Sequence, residues 1–225
     1  MTSGRILCIV EGDGEREAIP ALVNRIIRHL RRDRLVMADP VRVICTHNGD
    51  RITAPYEPAR QLGVEYFVAR AAREKPSAIL VIVDAEDRCL KRTATGGPPL
   101  GPELLARAQP AAGGIPVGVV IANRMFESWL LADFHSLRAR GQLPAAAQLP
   151  PWRTPEAIGG CKGWLRDLLG RPYSETRDQP RLAQEISLPR GPALKQRAPS
   201  FAKLLREVDR ISRAALAARR REERG

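Results

Sequence analysis

The sequence is poor in aromatic rings: tryptophan, tyrosine and phenylalanine together make up 4% of its 225 residues. Stacking of bases on aromatic platforms is therefore not expected to be its main way of holding a single strand. It also lacks paired cysteines. Cys8, Cys45, Cys89 and Cys161 are widely spread, and none belongs to a C-x-x-C pair. That excludes a disulfide scaffold and a zinc ribbon. Cys8 lies in an apolar run and reads as core. Cys45 and His47 are close, but no second ligand pair accompanies them, and the usual zinc spacings are missing. Neither G-x-G-x-x-G nor Gly-Lys-Ser/Thr occurs, so dinucleotide-fingerprint and phosphate-loop readings fall away. No apolar stretch approaches bilayer-spanning length, and the run Ile6 to Val10 is too short for a signal-peptide core. The expectation is a cytoplasmic protein with reduced thiols and no membrane contact.

Negative charge is in short supply as well. Lysine and arginine number 37 against 25 acids, a formal net charge of +12. Such a surplus favours polyanionic partners, DNA or RNA, because phosphate binding releases counterions. The competing source of the surplus is coding bias toward arginine.

What is present is an alternation of elements. Arg5 to Val10 is a nearly continuous apolar run, suited to a strand buried on both faces. A turn follows at Glu11 to Glu15. Ile19, Leu22, Val23, Ile26, Ile27 and Leu30 then repeat at helical spacing. Val41 to Thr46, Ala78 to Val83 and Pro116 to Ala122 read as further strands. Pro58 to Glu74, Glu103 to Ala108 and Arg124 to Asp133 read as helices between or after them. This order predicts an α/β fold, a mostly parallel sheet flanked by helices with right-handed crossovers. After His135 the composition changes. Gly141 to Pro155 reads as a linker or irregular arm. Lys162 to Leu169, Gln179 to Ile186 and Ser200 to Leu216 read as three helices, with a frayed charged end at Ala217 to Gly225. The expected organisation is a core over residues 1–135 and a helical extension over 136–225 packed on it.

Ligands of open parallel sheets gather beyond the carboxyl ends of the strands. Glu11 directly follows the first strand, and Asp84, Glu86 and Asp87 follow the strand that begins at Ala78. If those strands are neighbours, four carboxylates share one crevice, and Glu15 leans in from the next helical turn. Like charges so placed repel one another, and a hard cation, Mg²⁺ or Mn²⁺, removes the conflict through oxygen ligation. Arg124, beside these acids, is the better phosphate contact. Arg28 and Arg32 read either as contacts to a phosphate backbone or as the wet face of the first helix.

At these residues the chain resembles the Toprim superfamily, which includes type IA topoisomerases, bacterial primases and the overcoming-lysogenization-defect nucleases. The resemblance rests on Glu11-Gly12-Asp13-Gly14-Glu15 after one strand and Asp84-Ala85-Glu86 after a later one, with Glu86 where the family's second aspartate stands. The wider match resembles the Toprim family catalogued as domain of unknown function 4276. It runs through Asn123 to Asp133 and Tyr173 to Gln179 and ends near Pro199-Ser200-Phe201. The resemblance implies a Toprim (Rossmann-like) fold, Glu11 as acid/base and metal glutamate, and Glu15, Asp84 and Glu86 as further metal positions. It also implies a further acid and a lysine, for which Glu127 and Lys162 are the candidates. Helix pairing and solvation are the alternative readings of those two. Trp129 and Trp164 read as core.

Two functions follow as expectations. One is metal-dependent hydrolysis of nucleic-acid phosphodiesters, in a phage-defence or repair setting implied by the resemblance. The other is a non-catalytic, nucleic-acid-binding or regulatory partner of an ATPase encoded nearby. Strand passage ranks last, because a type IA enzyme carries its nucleophilic tyrosine on a separate domain and this chain is short.

Overall fold

The computed structural model describes residues 5–31, 42–86, 99–148, 154–188 and 196–222. Four parallel strands form one sheet: β1 (Ile6–Val10), β2 (Arg42–Cys45), β3 (Ala78–Asp84) and β4 (Val117–Ala122), in the order β2-β1-β3-β4. The first and third strands are indeed neighbours, in register from Ile6 opposite Ala78 to Ile9 opposite Val81. Both acid-bearing strand ends therefore reach the same edge of the sheet.

Alternate residues of a strand point to opposite faces, and here both faces are apolar and covered. Cys8, Val10, Leu80 and Ile82 enter one core with α1 (Asp13–His29), α5 (Glu127–Ala132), α6 (Phe134–Ala139), α7 (Cys161–Leu169), α8 (Asp178–Glu185) and α9 (Pro199–Glu222). Leu7, Ile9, Val81 and Val83 enter the other, with α2 (Gly49–Thr53), α3 (Val64–Ala72) and α4 (Leu100–Ala111). The elements after residue 135 thus share a core with β1 and β3. α8 lies along α1, and α9 lies across β4 and β3.

Several elements differ from the sequence expectation for local reasons. The helix predicted from Pro58 breaks at once: Gln61 turns left-handed, Gly63 takes φ 93°, and the regular helix begins only at Val64. Beyond β2, His47 and Asn48 lead into α2, which the Asn48 side chain caps by accepting from Asp50 N–H at 2.7 Å. Arg124 is not helical but turns at φ 65°, and helix α5 starts at Glu127. α9 continues through Ala217 to Glu222, where alanine and arginine favour the helix over a frayed end. Trp129 is fully buried, and Trp164 packs partly buried against the same core. Among the described residues no helix is long and apolar enough to cross a membrane.

Candidate metal centre at the carboxyl edge of the sheet

Glu11 leaves the end of β1 and accepts a short hydrogen bond from the backbone N–H of Asp84, the last residue of β3. One acid is thereby tied to the backbone that carries the next. Gly49 makes this possible from the other side, since a Cβ there would overlap the Glu11 carboxylate. Glu15 sits one turn into α1 and is 9% exposed. Its Oε2 accepts from Gly12 N–H at 3.1 Å and its Oε1 from the Gln179 amide on α8 at 3.0 Å. The glycines of the motif therefore have steric reasons. A Cβ on Gly12 would lie 2.6 Å from Glu15 Oε2, and one on Gly14 would run into the Gln179 side chain.

Asp84 accepts from Phe126 N–H at 2.9 Å. Burial raises its proton affinity well above the ordinary aspartate value, and the charges of Glu15, Glu11 and Glu127 push the same way. Glu127, at the start of α5, is only 1% exposed, and among the described residues neither carboxylate oxygen has a hydrogen-bond partner of ordinary geometry. Burial raises it to about 7, with Lys162 and its own backbone N–H pulling it down and Glu15 and Glu175 pushing it up. The Tyr173 hydroxyl lies beside it without closing a hydrogen bond of ordinary geometry. Gln179 Oε1 is likewise buried without a partner among the described residues. Lys162, from α7, holds Glu175 at 2.7 Å. Burial draws its proton affinity down, but Glu175, Glu127 and Asp84 outweigh that, leaving the ammonium above its usual value.

The sequence-derived residues divide accordingly. Glu11, Glu15, Asp84, Glu127 and Lys162 act on one another's charge at the edge of the sheet. Glu86 stands on the rim instead. It is exposed, turns at φ 49°, and donates its N–H to the Arg124 carbonyl at 2.6 Å. This bond places Arg124 on the same rim. Arg28 is exposed at the far end of α1. About 20 Å of helical rise separates it from Glu15, so it is not part of this cluster. Asp87 and Arg32 lie outside the described residues.

The acids are arranged openly. Among the described residues, the one group whose three ligand atoms fall within 4.8 Å of one another is Asp13, Cys45 and His47, not the carboxylates of this cluster. Glu11 and Glu15 are turned to backbone and amide donors, so gripping a cation requires them to rotate inward. In donor chemistry the cluster still suits a hard divalent ion: carboxylate oxygens, an orphaned buried Glu127, and mutual repulsion that a cation cancels.

Three supporting residues had weaker sequence signals. Glu175, Tyr173 and Gln179 approach from the C-terminal half, and only their place in the Tyr173 to Gln179 stretch hinted at them. Asp178 fixes that stretch. It is fully buried, takes a two-pronged bond from Arg171 at 2.7 and 2.8 Å, and accepts from Ser174 N–H at 2.9 Å. The Arg171 guanidinium holds the Asp178 carboxyl well below the usual range. A second brace crosses the sheet edge at Ser200. Its Oγ accepts from Asn123 N–H at 3.1 Å and from the Trp129 indole at 2.7 Å, while its hydroxyl donates to buried Glu156 at 2.5 Å. This pins the loop whose Phe126 amide holds Asp84.

Fold and site together define a parallel α/β protein with an acidic cluster beyond the carboxyl ends of adjacent strands. The chain belongs to the family described as "Domain of unknown function (DUF4276)", whose model matches residues 10–209. Among solved structures it is similar to the C-terminal region of the Burkholderia pseudomallei OLD protein, with 18% identity, 94% of this chain and 100% of that chain covered, and a TM-score of 0.47. It is also similar to the C-terminal region of the Xanthomonas campestris pv. campestris OLD protein, with 15% identity, 97% of each chain covered, and a TM-score of 0.47. No curated protein matches the chain.

Proposed function

We propose that the chain is a Toprim-type, Mg²⁺- or Mn²⁺-dependent hydrolase of nucleic-acid phosphodiesters. The observation that carries this reading is the buried Glu127 carboxylate, without a hydrogen-bond partner at either oxygen among the described residues, beside Asp84, Glu15 and Lys162. An ionised group so placed is costly without a cation or proton.

Glu11, Glu15, Asp84 and Glu127 would hold the ion, with Glu86 as a reserve ligand on the rim. When bound, such an ion supplies Lewis acidity toward a phosphate oxygen and lowers the proton affinity of water. Glu11 sits at the open edge and accepts a proton there as general base. Lys162 and Arg124 place positive charge where a phosphodiester gathers negative charge in its transition state. The surplus of 12 positive charges over the whole chain favours a polyanionic partner.

The test is incubation of the purified protein with labelled single- and double-stranded DNA and RNA, with Mn²⁺ or with EDTA. Cleavage should require the metal and disappear in Glu11→Gln and Asp84→Asn. Cleavage undiminished by EDTA would overturn the proposal.

A further inference from the structure

A second group of ligand atoms stands beside the acidic edge, drawn from separate segments. Asp13 opens α1, Cys45 ends β2, and His47 follows two residues later. Their ligand atoms form a nearly equilateral triangle. Cys45 Sγ lies 3.8 Å from Asp13 Oδ1 and 3.7 Å from His47 Nδ1, and the last two atoms are 3.6 Å apart.

These lengths can be compared with a tetrahedral zinc site. Bonds of about 2.3 Å to sulfur and about 2.0–2.1 Å to nitrogen or oxygen give ligand separations of roughly 3.5 Å involving sulfur and roughly 3.3 Å between nitrogen and oxygen. The triangle needs to contract by only about 0.2–0.3 Å per side to reach that geometry. It also stands on a fixed frame. His47 is held at φ 60°, a left-handed conformation unusual for a side-chain-bearing residue. The turn around it is pinned by Thr46 N–H to the Val10 carbonyl at 3.0 Å and by the Thr46 hydroxyl to the Asn48 carbonyl at 3.0 Å. The Asp13 and His47 side chains are 58% and 64% exposed, which leaves a fourth position facing solvent.

We propose that Asp13, Cys45 and His47 form a three-ligand site for a borderline, thiolate-seeking divalent cation of the zinc class, with water in the fourth position. Binding releases the thiol proton, and any imidazole proton, to solvent. The donor set sets this site apart from the neighbouring carboxylates. Thiolate and imidazole suit Zn²⁺ or Co²⁺, whereas Mg²⁺ and Mn²⁺ are served by oxygen alone. Occupancy would clasp the start of α1 to the end of β2, on either side of Glu11, whose carbonyl already receives the Cys45 thiol at 3.3 Å. The site does not depend on the hydrolase reading.

The experiment titrates Co²⁺ into the full-length, reduced, metal-free protein while the absorption spectrum is recorded. The expected result is one equivalent that carries a thiolate-to-cobalt charge-transfer band in the near ultraviolet and intense tetrahedral ligand-field bands, all abolished by Zn²⁺, whereas any Co²⁺ held by the carboxylates gives no such band. Cys45→Ser should lose the charge-transfer band. His47→Ala and Asp13→Asn should weaken binding by at least about tenfold, the scale on which even outer-shell partners act. Cys161→Ser, which changes a buried thiol outside the triad, should leave the charge-transfer band unchanged. Circular dichroism of each variant separates lost ligation from lost folding. Absence of the charge-transfer band in folded wild type, or its persistence in Cys45→Ser, overturns the proposal.

Discussion

Glu127→Gln should make the metal-free protein more stable at alkaline pH, contrary to the usual effect of changing a buried polar residue. Glu127 is 1% exposed and has no hydrogen-bond partner among the described residues, and its proton affinity rises from the ordinary value of 4.5 to about 7. Between those two values the folded state holds more proton than the unfolded state, so stability falls as pH rises. The favourable contribution is complete below about 4.5 and gone above about 7. The interval of about 2.5 pH units corresponds to about 3 kcal/mol. Glutamine keeps the shape and stays neutral, so above pH 7 the variant should gain up to about 3 kcal/mol, or roughly 6–12 °C in Tm for a chain of this size. The assay is urea unfolding followed by circular dichroism in EDTA, for both proteins, at pH values from about 4 to about 8.5. The difference should be small at the acid end, grow through the window, and then level off. Asp84 also loses proton affinity when the neighbouring charge is removed, which reinforces the same sign. A difference independent of pH, or a less stable variant at pH 8, would refute the assignment of Glu127 as an uncompensated buried acid. Added Mn²⁺ should stabilise wild type more than the variant if the carboxylate grips the ion.

Two further substitutions probe the frame around the acids. Ser200→Ala removes the acceptor for Asn123 N–H and for the Trp129 indole and strips a donor from buried Glu156. It should cost about 2–4 kcal/mol in urea unfolding and speed hydrogen exchange at Asn123. Gly14→Ala sets two effects against each other. Alanine favours the helix by about 1 kcal/mol, but its Cβ would overlap Gln179 and meet the Glu175 carbonyl at 3.0 Å. The collision should win, with a net loss of about 1–3 kcal/mol by thermal unfolding, whereas a stabilised variant would show that α8 yields easily.

The strands were legible because they are short apolar runs with no competing helical spacing. Ala78 to Val83 could scarcely be anything else, and the parallel order follows from the intervening helices. The convergence of Glu11 with Asp84 was legible for the same reason, since both stand at strand ends and the sheet brings those ends together. Other features depend on single backbone angles or on contacts distant in sequence. The left-handed turns at Gln61 and Gly63 cut a helix that composition alone would continue. The grip of Gln179 on Glu15 spans 164 residues and leaves no periodic trace. Cys45 and His47 lacked a visible third ligand, because Asp13 reaches them only through the pairing of β1 with β2.

The Ser200 hydroxyl has a practical consequence. It joins the first turn of the last helix to the loop behind Asp84, while Gln179 and Glu175 brace the acids from the preceding segment. A fragment cut after Asp133 would keep every strand of the sheet and still lose the amide on Glu15, the lysine facing Glu127 and the anchor of its own edge loop. Anyone shortening this protein to obtain a minimal working unit would therefore discard part of the cleft along with the tail.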